Sequence, residues 1–145
     1  MLAELLMRSL HLIALLILIT AVLIHNIGFS RQLSREDILN LRRVDRAVHG
    51  AMAGVLLAGL ALWLWVGKPA AFYNGNPLFH TKLLLFVIFV LLAANTTLYL
   101  RRHKQLDEAH TISLPALQRL ALRLQLPILL VIPVLAYLMA RGVGY

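Results

Sequence analysis

Four long apolar runs, at residues 10–24, 47–66, 78–100 and 120–140, alternate with short polar segments along the whole chain. With their helical flanks each run reaches the roughly 20 residues that span about 30 Å of hydrocarbon. The pattern predicts an all-α integral membrane four-helix bundle, with helices over 6–29, 35–66, 77–101 and 114–141 of a single domain covering 1–145. Local signals sharpen the boundaries. Ser34 followed by Glu36 and Asp37 reads as an N-cap with an acidic first turn, so the second helix starts in water and enters the membrane near Ala47. Asn76-Pro77 reads as N-cap and N1 of the third helix, after an Asn74-Gly75 turn. Ser113 and Pro115 start the fourth, in which Pro127 and Pro133 predict bends. Gly50, Gly54 and Ala58 form a small-residue stripe that lets a neighbouring helix approach.

Composition supports the same class: 61% of residues are hydrophobic and 14% charged, and the mean hydropathy is +0.82. A soluble domain carries about a quarter charged residues. The first run has no small-x-small cleavage site before His25, which favours a retained helix over a signal peptide. With no cysteine, disulfides, thiolate metal sites and thiol redox chemistry are excluded.

The net charge of +8 is explained by topology. Arg31, Arg35, Arg42, Arg43 and Arg46 fall between the first two helices, and Arg101, Arg102, Lys104, Arg119 and Arg123 between the last two; the other side has Arg8, Lys68, Lys82 and Arg141. The positive-inside rule puts both basic loops in the cytoplasm and both termini on the outer, periplasmic side. Multi-pass insertion in a bacterial inner membrane follows as the expected location. The bilayer is then the first partner, a homo-oligomer or larger assembly a second, and nucleic acid is not expected, since no recognition motif accompanies the basic residues.

Candidate chemistry rests on histidine. His11 and His25 share one face of the first helix about 21 Å apart, so one lies near each membrane edge. With His80 at the outer and His49 at the inner depth, two cross-helix pairs result: His11 with His80, and His25 with His49. A histidine pair at matching depth can hold a haem iron between two imidazoles, and Ala14, Leu18 and Ala21 on the same face leave room for a flat macrocycle. Each histidine alone also has a plain structural reading, a hydrogen bond to backbone, water or headgroups. Lys82, roughly 200° round the helix from His80, either snorkels to the interface or presents a cation to an anionic ligand such as a porphyrin propionate. Asn95 and Thr96 are candidate interhelical hydrogen-bond partners, Asp45 a candidate ion-pair partner for its neighbouring arginines, and Trp63 and Trp65 an interfacial aromatic pair. His103 and His110 are assigned no role. No Ser-His-Asp set, phosphate-binding glycine loop or HExxH motif is present, which disfavours hydrolase and nucleotide-driven functions.

The stretch Lys68-Pro-Ala-Ala-Phe-Tyr-Asn-Gly-Asn-Pro-Leu-Phe-His80-Thr81-Lys82, with Leu10-His11-Leu12-Ile13-Ala14, resembles domain-of-unknown-function family 2214, small bacterial four-helix membrane proteins. More distantly, Leu10-His11 and His80-Thr81-Lys82 resemble motifs of the HemJ-type protoporphyrinogen oxidases. In place of that family's Trp-rich stretch after the first histidine, this chain has Leu15-Leu16-Ile17-Leu18-Ile19-Thr20. The distant resemblance implies haem b held by His11 and His80, with Lys82 as a contacting or catalytic group. The expected function is then a haem-b-associated oxidoreductase acting on a porphyrinogen, with quinone as electron acceptor. The competing expectation is a non-enzymatic bundle with an interaction or structural role.

Overall fold

The computed structural model describes residues 1–144. Helix α1 (Leu2–Gly28) leads through a two-residue strand, β1 (Gln32–Leu33), to α2 (Arg35–Ala61), which widens into a π-helical turn at Leu62–Val66. A short helix α3 (Ala70–Asn74) precedes α4 (Pro77–Arg102), and β2 (Ile112–Ser113) precedes α5 (Ala116–Ala140). Four spans of 25 to 32 residues are long and apolar enough to cross a membrane. The chain is a membrane protein built as an up-and-down bundle: α1 packs chiefly on α2 and α4 on α5, with α1–α5 and α2–α4 contacts closing the ring.

The caps follow from local chemistry. The Ser34 hydroxyl accepts from the Asp37 backbone N–H, and the Asp37 carboxylate accepts in return from the Ser34 N–H, forming the capping box at the start of α2. The Asn76 side chain accepts from Leu78 N–H, with Pro77 at N1. The start of the fourth span differs from expectation. Ser113 pairs in the ribbon rather than capping, and Pro115 occupies the N-cap; Pro127 and Pro133 lie inside the helix.

Buried positions on α1 fall at Ala14, Leu15, Leu18, Ala21, Val22 and His25, a helical stripe, while Leu12, Ile13, Leu16 and Ile17 face outward. On a soluble protein such an outer face would be an aggregation hazard; in lipid it is the surface matched to the solvent. Burial of apolar groups drives little association there, so close packing carries the contacts. A Cβ at Gly54 would lie 3.2 Å from that of Ala14, so the α1–α2 seam is tight here. Gly50 faces open space and takes no part. The room expected beside Ala14, Leu18 and Ala21 is filled by the core, in which these three pack with Val48, Ala51, Val55 and Phe89.

A second, smaller core closes the loop end. Strands β1 and β2 pair antiparallel, Gln32 opposite Ser113 and Leu33 opposite Ile112, and tie the α1–α2 loop to the α4–α5 loop. Leu33, Ile38, Leu41, Leu100, Leu114 and Leu122 pack beneath them. At the opposite end, Gly67 is required by close approach: a Cβ there would sit 2.1 Å from the Leu62 carbonyl oxygen that its own N–H bonds.

Candidate functional site

The face of α4 that turns inward is set by aromatic bulk. Phe79 and Phe89 are buried and Phe86 packs against the core; at three- and four-residue spacing from these, Lys82 and Leu83 are carried to the same side. His80, one residue from Phe79, is turned to the exterior, where its Nε2 is 2.9 Å from the Asn74 carbonyl oxygen, to which it donates. Lys82 and His80 therefore diverge, as their spacing predicts.

Lys82 meets His11 instead. Both line a cavity of about 90 Å³ in the half of the bundle that holds the termini, walled by Val55, Gly59, Trp63 and Phe79 among others. The volume is that of roughly three water molecules. His11 reaches it because α2 has a glycine at its crossing point: a Cβ at Gly59 would stand 3.2 Å from His11 Cε1. The Nδ1 atom of His11 is buried and has no hydrogen-bond partner. The Lys82 ammonium belongs to the lining of the same chamber. It lies 5.1 Å from the Phe79 ring centroid and takes part in none of the ion pairs among the described residues. Trp63, carried on the π-helical turn, packs edge-on to Phe79 and donates its indole N–H to Asn74 Oδ1 at 3.0 Å.

An imidazole with an unsatisfied nitrogen and an ammonium thus converge on one apolar chamber. Such groups fix the polar end of a ligand whose body is apolar. The structure places His11 in this chamber and His80 outside its lining, with His80 Nε2 on the Asn74 carbonyl.

The inner histidines are each engaged elsewhere. His25, 1% exposed, has Nε2 3.0 Å from the Leu41 carbonyl oxygen and packs edge-on to Phe29, linking the end of α1 to α2. His49 Nδ1 is 2.9 Å from the Asp45 carbonyl oxygen, and its Nε2 is 3.4 Å from Thr97 Oγ1. Asp45 was expected in an exposed ion pair with arginine. It is instead 7% exposed, accepting from the Thr97 hydroxyl at 3.0 Å with His49 Nδ1 at 3.8 Å. Between α4 and α5, Asn95 donates to Gln118 Oε1 at 2.8 Å, and Thr96 Oγ1 accepts from Gln125 at 3.0 Å and Gln118 at 3.4 Å. Sequence reading singled out Asn95 and Thr96 but missed the two glutamines, whose signal was their spacing of seven residues on one face of an apolar helix. Among the described residues no group of three or more His, Cys, Asp or Glu side chains could hold a metal ion.

The model of a family described as "Predicted membrane protein (DUF2214)" matches residues 3–144. No curated protein and no solved structure matches.

Proposed function

The chain belongs to the DUF2214 family, and we propose that it is a non-enzymatic membrane component that holds a small lipid-soluble molecule by its hydroxyl or carboxyl end. The observation that carries this reading is the buried, partnerless Nδ1 of His11 in a chamber shared with Lys82. The other ring nitrogen of His11 donates to the Val55 backbone carbonyl, so Nδ1 of the neutral ring is an acceptor, and leaving it unpaired costs about 1–3 kcal/mol that an incoming hydroxyl removes. The ammonium adds a charge-assisted contact to the same oxygen, and Phe79, Val55 and Trp63 supply the apolar wall. Fatty acids have this chemistry, and a carboxyl group fits a space of this size. The charge asymmetry supports an orientation in a bacterial inner membrane with the chamber toward the outer leaflet.

Haem b between His11 and His80, with Lys82 contacting porphyrin and porphyrinogen as substrate, fits these residues poorly. His80 lies outside the chamber lining with its Nε2 engaged by Asn74, and the chamber has the volume of a few waters, far below that of a macrocycle. His25 and His49 are occupied by Leu41, Asp45 and Thr97.

Trp63 provides the test, since it lines the chamber and Trp65 is the only other tryptophan. In lipid nanodiscs the Trp65→Phe protein should show saturable quenching by a brominated short-chain fatty acid. In the same background His11→Leu and Lys82→Met should each weaken binding about tenfold. Quenching that does not saturate, or that ignores both substitutions, overturns the proposal. Oxidised and dithionite-reduced spectra are recorded in parallel. Stoichiometric b-type bands altered by both His11→Ala and His80→Ala would establish the haem reading in its place.

A further inference from the structure

At the loop end of the bundle, a second cavity of about 330 Å³ lies between α2 and α4. Its lining includes Arg42, Arg43 and Arg46 from α2, Arg101 from α4, and one carboxylate, Asp45. Four guanidinium groups against one carboxylate leave a net charge of +3. Helical geometry explains the convergence. Arg42 and Arg46 are four residues apart on one face of α2 and Arg43 is the next position round, while Thr97 and Arg101 stand four apart on the facing side of α4.

Asp45 offsets one of the four positive charges but forms no ion pair with any of these arginines, its Oδ1 accepting from the Thr97 hydroxyl. None of the four arginines takes part in any ion pair among the described residues; Arg43 only reaches Asn40 Oδ1, at 3.3 Å. Like charges at four-residue spacing repel, so an uncompensated cluster facing one space works against the bundle unless an anion enters. Two other exposed arginines are paired, Arg8 with Glu4 and Arg35 with Glu108, both at 2.6 Å.

We propose that this cavity is a phosphoryl-anion site. Planar guanidinium forks match the oxygens of a phosphate in paired hydrogen bonds. A space of this volume, equal to roughly ten waters, accepts a phosphate group with part of its hydration. Two sources share this chemistry: the phosphodiester of an anionic lipid and free inorganic phosphate. The cavity's place at the end of two membrane spans favours the lipid, for which basic pockets between helices are a known kind of site.

The test uses the full chain in detergent at fixed ionic strength. Retention of phosphatidylglycerol, with phosphatidylcholine as reference, is measured by native mass spectrometry, and inorganic phosphate is titrated calorimetrically. Arg46→Gln and Arg101→Gln should each weaken phosphatidylglycerol binding about tenfold, and Arg101→Lys, which keeps the charge and loses the fork, by less. Arg102→Gln removes the same charge from the same helix outside the cavity lining, and should change binding about twofold or less. All four variants are compared at equal monodispersity, so loss of fold is seen separately. Binding of inorganic phosphate with the same pattern of variant effects, but no lipid preference, would assign the site to a soluble phosphate. An equal loss from Arg102→Gln, or no binding of either probe, overturns the site.

Discussion

Thr96 shows how much a single polar side chain holds inside this bundle. It is 1% exposed, donates to the Leu92 carbonyl, and accepts from the amides of Gln125 and Gln118. Replacing it with valine keeps the shape and strands two amide donors away from water. The expected loss is about 1–2 kcal/mol in unfolding from mixed micelles, where single hydrogen bonds average less because the unfolded state in lipid finds other partners. The double variant Thr96→Val/Gln125→Leu should recover part of that loss, since removing both partners costs less than orphaning one. A larger loss in the double variant would show that the network is not held through Thr96. Legibility at this scale was uneven. His11 could be read from the helical face it shares with His25, but whether His80 or Lys82 would meet it depends on the rotation of α4. Phe79, Phe86 and Phe89 set that rotation by packing, and the sequence alone gave no means of ranking them above the other apolar residues of the helix. His25 is bound by a backbone carbonyl of α2, a partner that side-chain spacing cannot reveal.

At the scale of elements, the start of α2 and the ribbon beside it act as one clasp. The Ser34–Asp37 capping box fixes the first turn of α2, and Leu33, 0% exposed, is pressed between Ile38, Leu41, Leu100, Leu114 and Leu122. Ser34→Ala should lower stability by about 1 kcal/mol through loss of the cap. Leu33→Ala should cost about 2–5 kcal/mol by opening a cavity in a small core. Limited proteolysis of the 103–115 loop, read beside thermal unfolding, checks both: cleavage should rise more for Leu33→Ala, and equal rates would show that the ribbon does not hold the loop. The caps at Ser34 and Asn76 were legible because they depend on neighbours within four residues. The ribbon was not, because two-residue strands carry no alternation to detect and their pairing joins positions some eighty residues apart. The π-helical turn and α3 escaped for a related reason: they depend on the close approach of Gly67 to Leu62, a contact within a segment that reads as the plain end of an apolar run.

For the whole molecule, four spans and both termini at one end follow from the alternation of apolar runs, and the distribution of charge then predicts which side of the membrane that end faces. Ten of the fourteen basic residues belong to the ribbon end and its adjoining turns, and four to the end with the termini. Each basic side chain moved across the bilayer during insertion opposes translocation, so the ribbon end should remain in the cytoplasm. This orientation would set the arginine-lined cavity against the leaflet whose anionic lipids attract it, and the His11–Lys82 chamber toward the outer leaflet. Because the chain has no cysteine, a single introduced thiol reports the side without background. Ala71→Cys on α3 and His110→Cys in the loop before β2 are both at exposed positions. A membrane-impermeant maleimide added to intact cells should label Ala71→Cys and leave His110→Cys unmodified until the membrane is permeabilised. The reverse pattern would place the arginine cavity in the outer leaflet. Equal labelling of both sites in intact cells would mean mixed insertion, in which the charge difference is too small to select one orientation and each cavity faces both leaflets.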